Sequence, residues 1–280
     1  MVLALNEKQE ILRKHGAIDS DMDALLKYTS NVFSGKNAND DESFLFRWNI
    51  ILNAASKEGA AVAINKYIVR SDLQISFVNP EGITVEFYES IAGKIPVITI
   101  AADEDFDTLI TNIYNKGKPY PHAKKQGASF ANGENNKFII LSYKPYSNLP
   151  ANEIGLPNAE WIQKSLTIRK AHECAHYYTT RFFGSSRNNL HDELIADFCG
   201  IWDAFSMYQA DYFTRFLAKG RMDIYVDGMS STAAKVIESL AYEASKWLEA
   251  WSHTDEFLRL NTTQRIDYLC KKELLAWRNL

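Results

Sequence analysis

Cysteine is scarce in this chain: Cys174, Cys199 and Cys270 are the three among 280 residues, and no two are closely spaced. That scarcity excludes a disulfide framework and fits a reducing compartment. A basic surplus is also missing. Lys and Arg total 31 against 35 Asp and Glu, a formal charge of −4, whereas a nucleic-acid binder usually carries a basic excess on one face. No apolar run approaches the roughly 20 residues that a membrane-spanning helix needs. The opening residues turn polar by Asn6, too soon for the apolar region of a signal peptide. Internal repeats and low-complexity tracts are absent. With 46% hydrophobic and 24% charged residues, the composition is that of a folded globular chain. The expectation is a cytoplasmic protein with no nucleic-acid or membrane partner; the sequence leaves its oligomeric state open.

What is present falls into three stretches. Residues 1–70 read as a helical N-terminal region. Asp19, Ser20 and Asp21 can cap a short helix, and Asp40, Asp41, Glu42 and Ser43 place acids at the positive end of the next. Phe44, Trp48, Ile51 and Ala55 recur at three and four within 44–68, the stripe of a buried helix. Gly35, Asn37 and Asn39 read as the loop between helices. Residues 71–157 switch period. Alternation at 73–77 and 83–87, around Asn79-Pro80-Glu81-Gly82, predicts a hairpin. Further strands are expected at 95–100 and 137–143, with a short helix at 103–114 and a long polar loop at 116–136. Residues 158–280 read as almost all helix: 161–183 up to Gly184, 190–217 up to Gly220, 231–251, and 262–277 capped by Asn261 or Thr262. The class is α+β, a small antiparallel sheet followed by a mainly helical body, expected to form one compact unit.

One segment carries chemistry. His172-Glu173-Cys174-Ala175-His176 is an H-E-x-x-H on a predicted helix. Residues four apart lie one turn above each other, so both imidazoles project from one face and can meet at a single metal ion. Nitrogen ligands of this kind favour Zn²⁺. Glu173 sits about 100° around the helix, placed to take a proton from a metal-bound water as that water attacks a carbonyl. Two histidines and a water leave zinc one protein ligand short. A metzincin would supply a histidine six residues after His176, but Phe182 is there, and Thr179 stands where that family has glycine. The next helix offers Glu193 and Asp197, four apart on a shared face, after a turn short enough to fold the two helices back on each other.

At this point the sequence resembles the gluzincin metallopeptidases. Thermolysin-like members follow H-E-x-x-H with a helix reading N-E-x-x-x-D-x-x-G, and this chain has Asp192-Glu193 through Asp197 to Gly200. The match covers about 30 residues of the chain, 168–200, and is of a divergent kind. The resemblance implies a zincin-like fold and one zinc ion held by His172, His176 and Glu193. It also implies Glu173 as general base, Asp197 as the support of a His172 ring nitrogen, and a peptide or protein as substrate. Asp192 stands where the family has asparagine. Such families lay an extended substrate along an edge strand just before the zinc helix, a place that 137–143 occupies in chain order; an ordinary sheet strand is the other reading. The 116–136 loop, with Lys116, Lys118, His122, Lys124 and Lys125, reads as a lid, a recognition loop for acidic substrates or a solvated loop. Tyr143, Tyr225 and His253 are candidates for substrate binding or for the oxyanion donor. His191 reads as a neighbour of the site, and Cys174 and Cys199 as packing residues. Trp202, Phe205 and Tyr208 read as core. Two rival readings share the metal: a zinc amidohydrolase acting on a non-peptide amide, and a catalytically inactive zinc-binding regulatory protein.

Overall fold

The computed structural model describes residues 3–31, 33, 42–120, 123–133, 136–185 and 189–278. The expectations placed on Gly35, Asn37, Asn39, Asp40, Asp41 and His122 lie outside those residues. In chain order the elements are α1 (Leu5–Lys14), α2 (Met22–Tyr28), α3 (Phe44–Glu58), α4 (Ala60–Tyr67), β1 (Ile83–Ser90), β2 (Gly93–Ile100), α5 (Asp103–Asn115), β3 (Ala128–Gly133), β4 (Asn136–Ser142), α6 (Ala151–Ile154), α7 (Asn158–Phe183), α8 (Leu190–Phe205), α9 (Ala210–Phe216), α10 (Met222–Tyr225), α11 (Ser231–Ser252), α12 (Asp255–Arg259) and α13 (Thr262–Lys271). The class is α+β, as the sequence predicts. Among the described residues no helix is long and apolar enough to cross a membrane.

Two compact units share these elements: Asn39–Glu173 is one, and Met1–Ala38 with Cys174–Leu280 is the other. Neither coincides with a single stretch of the sequence pattern, and α7 runs unbroken through the dividing point.

In the sheet unit, the stripe at 44–68 forms two helices. Gly59, at φ 94°, separates α3 from α4, a backbone conformation that glycine alone adopts cheaply. Phe44, Trp48, Ile51 and Ile64 are buried, and the Trp48 indole N–H donates to Asn136 Oδ1 at 3.1 Å. The sheet order is β1-β2-β4-β3. Its outer pairs are antiparallel, as expected, but β2 and β4 run parallel with Val97 opposite Ile139. The inner strands read as near-continuous apolar runs because both of their faces are covered; Ile95, Val97, Ile98 and Phe138 to Leu141 are all buried.

Three sequence expectations change here. First, 73–77 is not a strand, and β1 pairs with β2 instead. Side chains take up its backbone and that of the two residues after it: Asn65 bonds both the N–H and C=O of Ile75, Asn112 donates to the Leu73 carbonyl, and the Asp105 carboxylate accepts from Val78 and Asn79 N–H groups. With those groups satisfied, no ladder is needed. Second, 137–143 does not lie at an edge, since β4 sits between β2 and β3. Third, the polar loop at 116–136 contains the edge strand itself, β3. Its mostly small residues, with Phe130 as the one large apolar side chain, carry too weak an alternation to be read as a strand.

The helical unit is built around α8, which is buried from Leu190 to Ile201. The predicted 190–217 helix stops at Phe205, where Ser206 takes a left-handed conformation at φ 56°. After α9, Leu217–Arg221 forms an irregular wide turn with Gly220 at φ 89°. The predicted 262–277 helix ends at Lys271, and Asn261 caps it with Gln264 returning the bond. Tyr208 is buried against Phe198 with ring centroids 5.0 Å apart, while Trp202 and Phe205 are half-buried.

Candidate metal centre

Helix α7 buries a polar face. Ser165, Arg169 and His172 recur at four and three residues, all under a tenth exposed, and His176 continues the row half-buried. The chain after β4 fastens to that row. Ser165 Oγ accepts from the Tyr146 N–H at 2.9 Å, and the Arg169 guanidinium lies 5.6 Å from the Tyr146 ring centroid. Arg169 also donates to the carbonyls of Ser142, Lys144 and Pro145. Held this way, the Tyr146 hydroxyl reaches His172 Nδ1 at 3.2 Å. Because a hydroxyl both donates and accepts, it can receive an N–H from Nδ1 when Nε2 is used as a metal ligand.

The other histidine meets a charge. His176 Nδ1 lies 3.3 Å from Asp192 Oδ2, and its Nε2 lies 3.5 Å from Glu193 Oε1. Asp192 is fixed by Thr179 Oγ1 at 3.0 Å and Ser185 Oγ at 3.4 Å, and its own N–H is capped by Asn189 Oδ1. Burial alone would lower the His176 pKa, but the charges and hydrogen bonds of Asp192 and Glu193 outweigh it and raise it well above 6.5.

Glu193 completes the set. One ligand atom each from His172, His176 and Glu193 lie within 4.8 Å of one another. Glu193 Oε2 accepts from the Tyr225 hydroxyl at 2.8 Å and from Arg221 Nη2 at 3.0 Å. The same guanidinium lies 3.0 Å from Asp197 Oδ2 through Nη1. The irregular turn after α9 is what delivers Arg221 there. Burial, then the Glu193 and Asp197 charges, raise the Tyr225 pKa well above 10, against the pull of Arg221.

The structure therefore brings together His172, His176 and Glu193, with Glu173 buried on the turn between the histidines. Asp197, expected to orient His172, carries Arg221. Tyr225, a candidate oxyanion donor, hydrogen-bonds Glu193. Tyr143 is half-buried just after β4, and His253 is exposed at the end of α11. His191 is buried beside the site, with Phe33 and Trp277 rings each 4.9 Å away and the Leu269 carbonyl on its Nε2. Cys174 and Cys199 are buried and form no disulfide. Sequence reasoning missed Tyr146 and Arg221. Tyr146 left no local signal, being 26 positions before His172; the buried row of Ser165 and Arg169 beside the histidines was the available hint that α7 had a polar partner.

Fold and site together define an α+β protein with a His–His–Glu cluster, able to hold a metal ion, on two successive helices. The chain belongs to a family of unknown function, DUF7005, which it matches over residues 70–138 and 135–278, a span that includes every residue of the cluster. No curated protein and no solved structure matches it.

Proposed function

We propose that the protein is a zinc-dependent, gluzincin-like metallopeptidase of zincin-like fold that hydrolyses peptide bonds in a peptide or protein substrate. The observation that carries this reading is the convergence of His172, His176 and Glu193 ligand atoms within 4.8 Å, with Glu173 between the histidines. Two imidazoles and one carboxylate are the donor set of catalytic zinc, which keeps one position open. When bound, zinc supplies a Lewis acid that polarises a carbonyl and lowers the pKa of water to roughly 7.

His172, His176 and Glu193 would hold the ion. Tyr146 and Asp192 orient the two rings, and Arg221 and Tyr225 hold the second oxygen of Glu193. Glu173 accepts the proton of the attacking water as it adds to the scissile carbonyl, and returns a proton to the leaving amine. A structural zinc has no use for that glutamate. A cytoplasmic setting accompanies this reading, since all three cysteines are buried and none forms a disulfide.

Metal analysis together with casein hydrolysis tests it. The wild type should hold one zinc per chain, and Glu193→Ala should lose most of it. Glu173→Gln should keep the metal and lose roughly 10²–10⁴-fold in turnover. A wild type without a stoichiometric divalent ion overturns the site; unchanged turnover in Glu173→Gln overturns the catalysis.

A further inference from the structure

Hydrolysis of a peptide bond needs a donor for the negative charge that develops on the carbonyl oxygen. Tyr225 and Tyr146 are each bonded to a residue of the ligand set. A third tyrosine stands at the edge of the sheet, in the same unit as Glu173.

Its placement follows from Arg169, which lies one helical turn before Glu173 on α7 and so shares its face. Gly127, just ahead of β3, packs directly on Arg169: a Cβ there would lie 2.3 Å from the guanidinium. The start of the edge strand is thereby pinned to α7 one turn from Glu173. Ser129 is two residues further on, so its side chain leaves the same face of the strand as position 127. Pairing with Ile140 of β4 fixes its register. Tyr114, near the end of α5, hydrogen-bonds Ser129 Oγ through its hydroxyl, and Tyr120 stacks beside it with centroids 6.4 Å apart. The Tyr114 residue is 42% exposed, so it is open to a ligand.

We propose that Tyr114, held by Ser129 at the edge of the sheet, is a catalytic residue whose hydroxyl donates to the substrate carbonyl oxygen as it becomes anionic. This rests on the metallopeptidase reading. The Ser129 hydroxyl can rotate to donate into the Tyr114 oxygen, which leaves the phenolic O–H for the substrate. Partial burial raises the phenol pKa above 10, the Ser129 bond works against that, and the Glu173 charge adds to the rise. The raised pKa keeps the donor protonated at neutral pH.

The test uses the zinc-loaded full chain with casein and a quenched peptide mixture. Tyr114→Phe should lower kcat by roughly 10²–10³-fold, with KM and zinc content unchanged. It should also weaken binding of a phosphinic peptide, whose tetrahedral anion imitates the transition state, by more than about tenfold. Ser129→Ala keeps the phenol and should cost about tenfold or less in kcat. Activity of Tyr114→Phe within about threefold of wild type overturns the proposal while the metallopeptidase reading stands. So does an equal loss in Ser129→Ala, which would mean that the hydroxyl only holds the strand. A wild type that binds zinc and cleaves nothing overturns the metallopeptidase reading, and this proposal with it.

Discussion

His172 and His176 are one helical turn apart, yet the regions that support them differ in charge. His172 is served by the segment after β4: its Nδ1 meets the neutral phenol of Tyr146, which Ser165 and Arg169 clamp to α7. His176 is served by the start of α8, where Asp192 offers a buried carboxylate with two hydroxyls on it. A carboxylate partner makes an imidazole more basic and a better metal ligand; a phenol orients the ring without adding charge. One motif thus combines a histidine tuned by charge with a histidine placed by packing. The dividing point between the two compact units falls between Glu173 and Cys174, within the motif.

The largest effect is expected where the charge is. Asp192→Ala removes the acceptor of His176 Nδ1 and takes the Asp192 carboxylate from the buried Ser185 hydroxyl, while the Thr179 hydroxyl keeps its bond to the His176 carbonyl. Zinc affinity should fall roughly 10–100-fold, and unfolding free energy by about 1–3 kcal/mol for the buried hydrogen bonds lost. Competition titration with a zinc chelator and urea denaturation read the two effects separately. The metal-free wild type should also release a proton on binding zinc near neutral pH, because the raised pKa of His176 leaves its ring protonated until the metal displaces the proton. Absence of that release would mean that Asp192 tunes nothing.

Acid should expose the same region from the other side. His191, adjacent to Asp192, is held neutral: burial lowers its pKa to about 4, against smaller opposing effects of the Leu269 carbonyl, Asp192 and Glu273. Its contribution to stability is fully present above the unfolded value of 6.5 and drains away as pH falls toward 4. That loss amounts to about 3 kcal/mol. His176 behaves oppositely in the metal-free protein, since its contribution is present below 6.5 and is lost as pH rises through its raised folded value. Urea melts of metal-free wild type and His191→Phe between pH 7 and 4 should therefore diverge, with the variant losing less. Parallel curves would show that His191 is not held neutral.

How much of this was readable from sequence depended on distance along the chain. The His172–His176–Glu193 cluster was legible because His172 and His176, and then Glu193 and Asp197, are related by helical spacing alone. β2, α5 and α11 were legible for the same reason, their patterns being local. The segment at 73–77 misled because Asn65 and Asn112, on other elements, occupy its backbone groups, and Asp105 those of the two residues after it. β3 was hidden by its mostly small residues, which leave Phe130 as the one large apolar side chain. Asp192 was visible only as a departure from an asparagine pattern; the structure gives the departure a consequence, a charged partner for His176. Arg221 depended on a wide turn that breaks an otherwise helical pattern at Gly220.

The smallest effect is expected from Tyr146→Phe, and it is the one that decides whether the two supports really differ. The substitution removes a single hydroxyl. The ring stays against Arg169, and the backbone N–H keeps its bond to Ser165, so His172 loses a hydrogen bond but not the wall it rests on. A neutral bond of this sort is worth about 1 kcal/mol, so zinc affinity should fall by less than about tenfold. The proton released on zinc binding should not change, because Asp192 still governs His176. Equal losses of affinity in Tyr146→Phe and Asp192→Ala, by the same chelator competition, would erase the distinction between the arms. In that case the phenol works as more than an orienting contact, and a share of the charge tuning credited to Asp192 belongs to Tyr146.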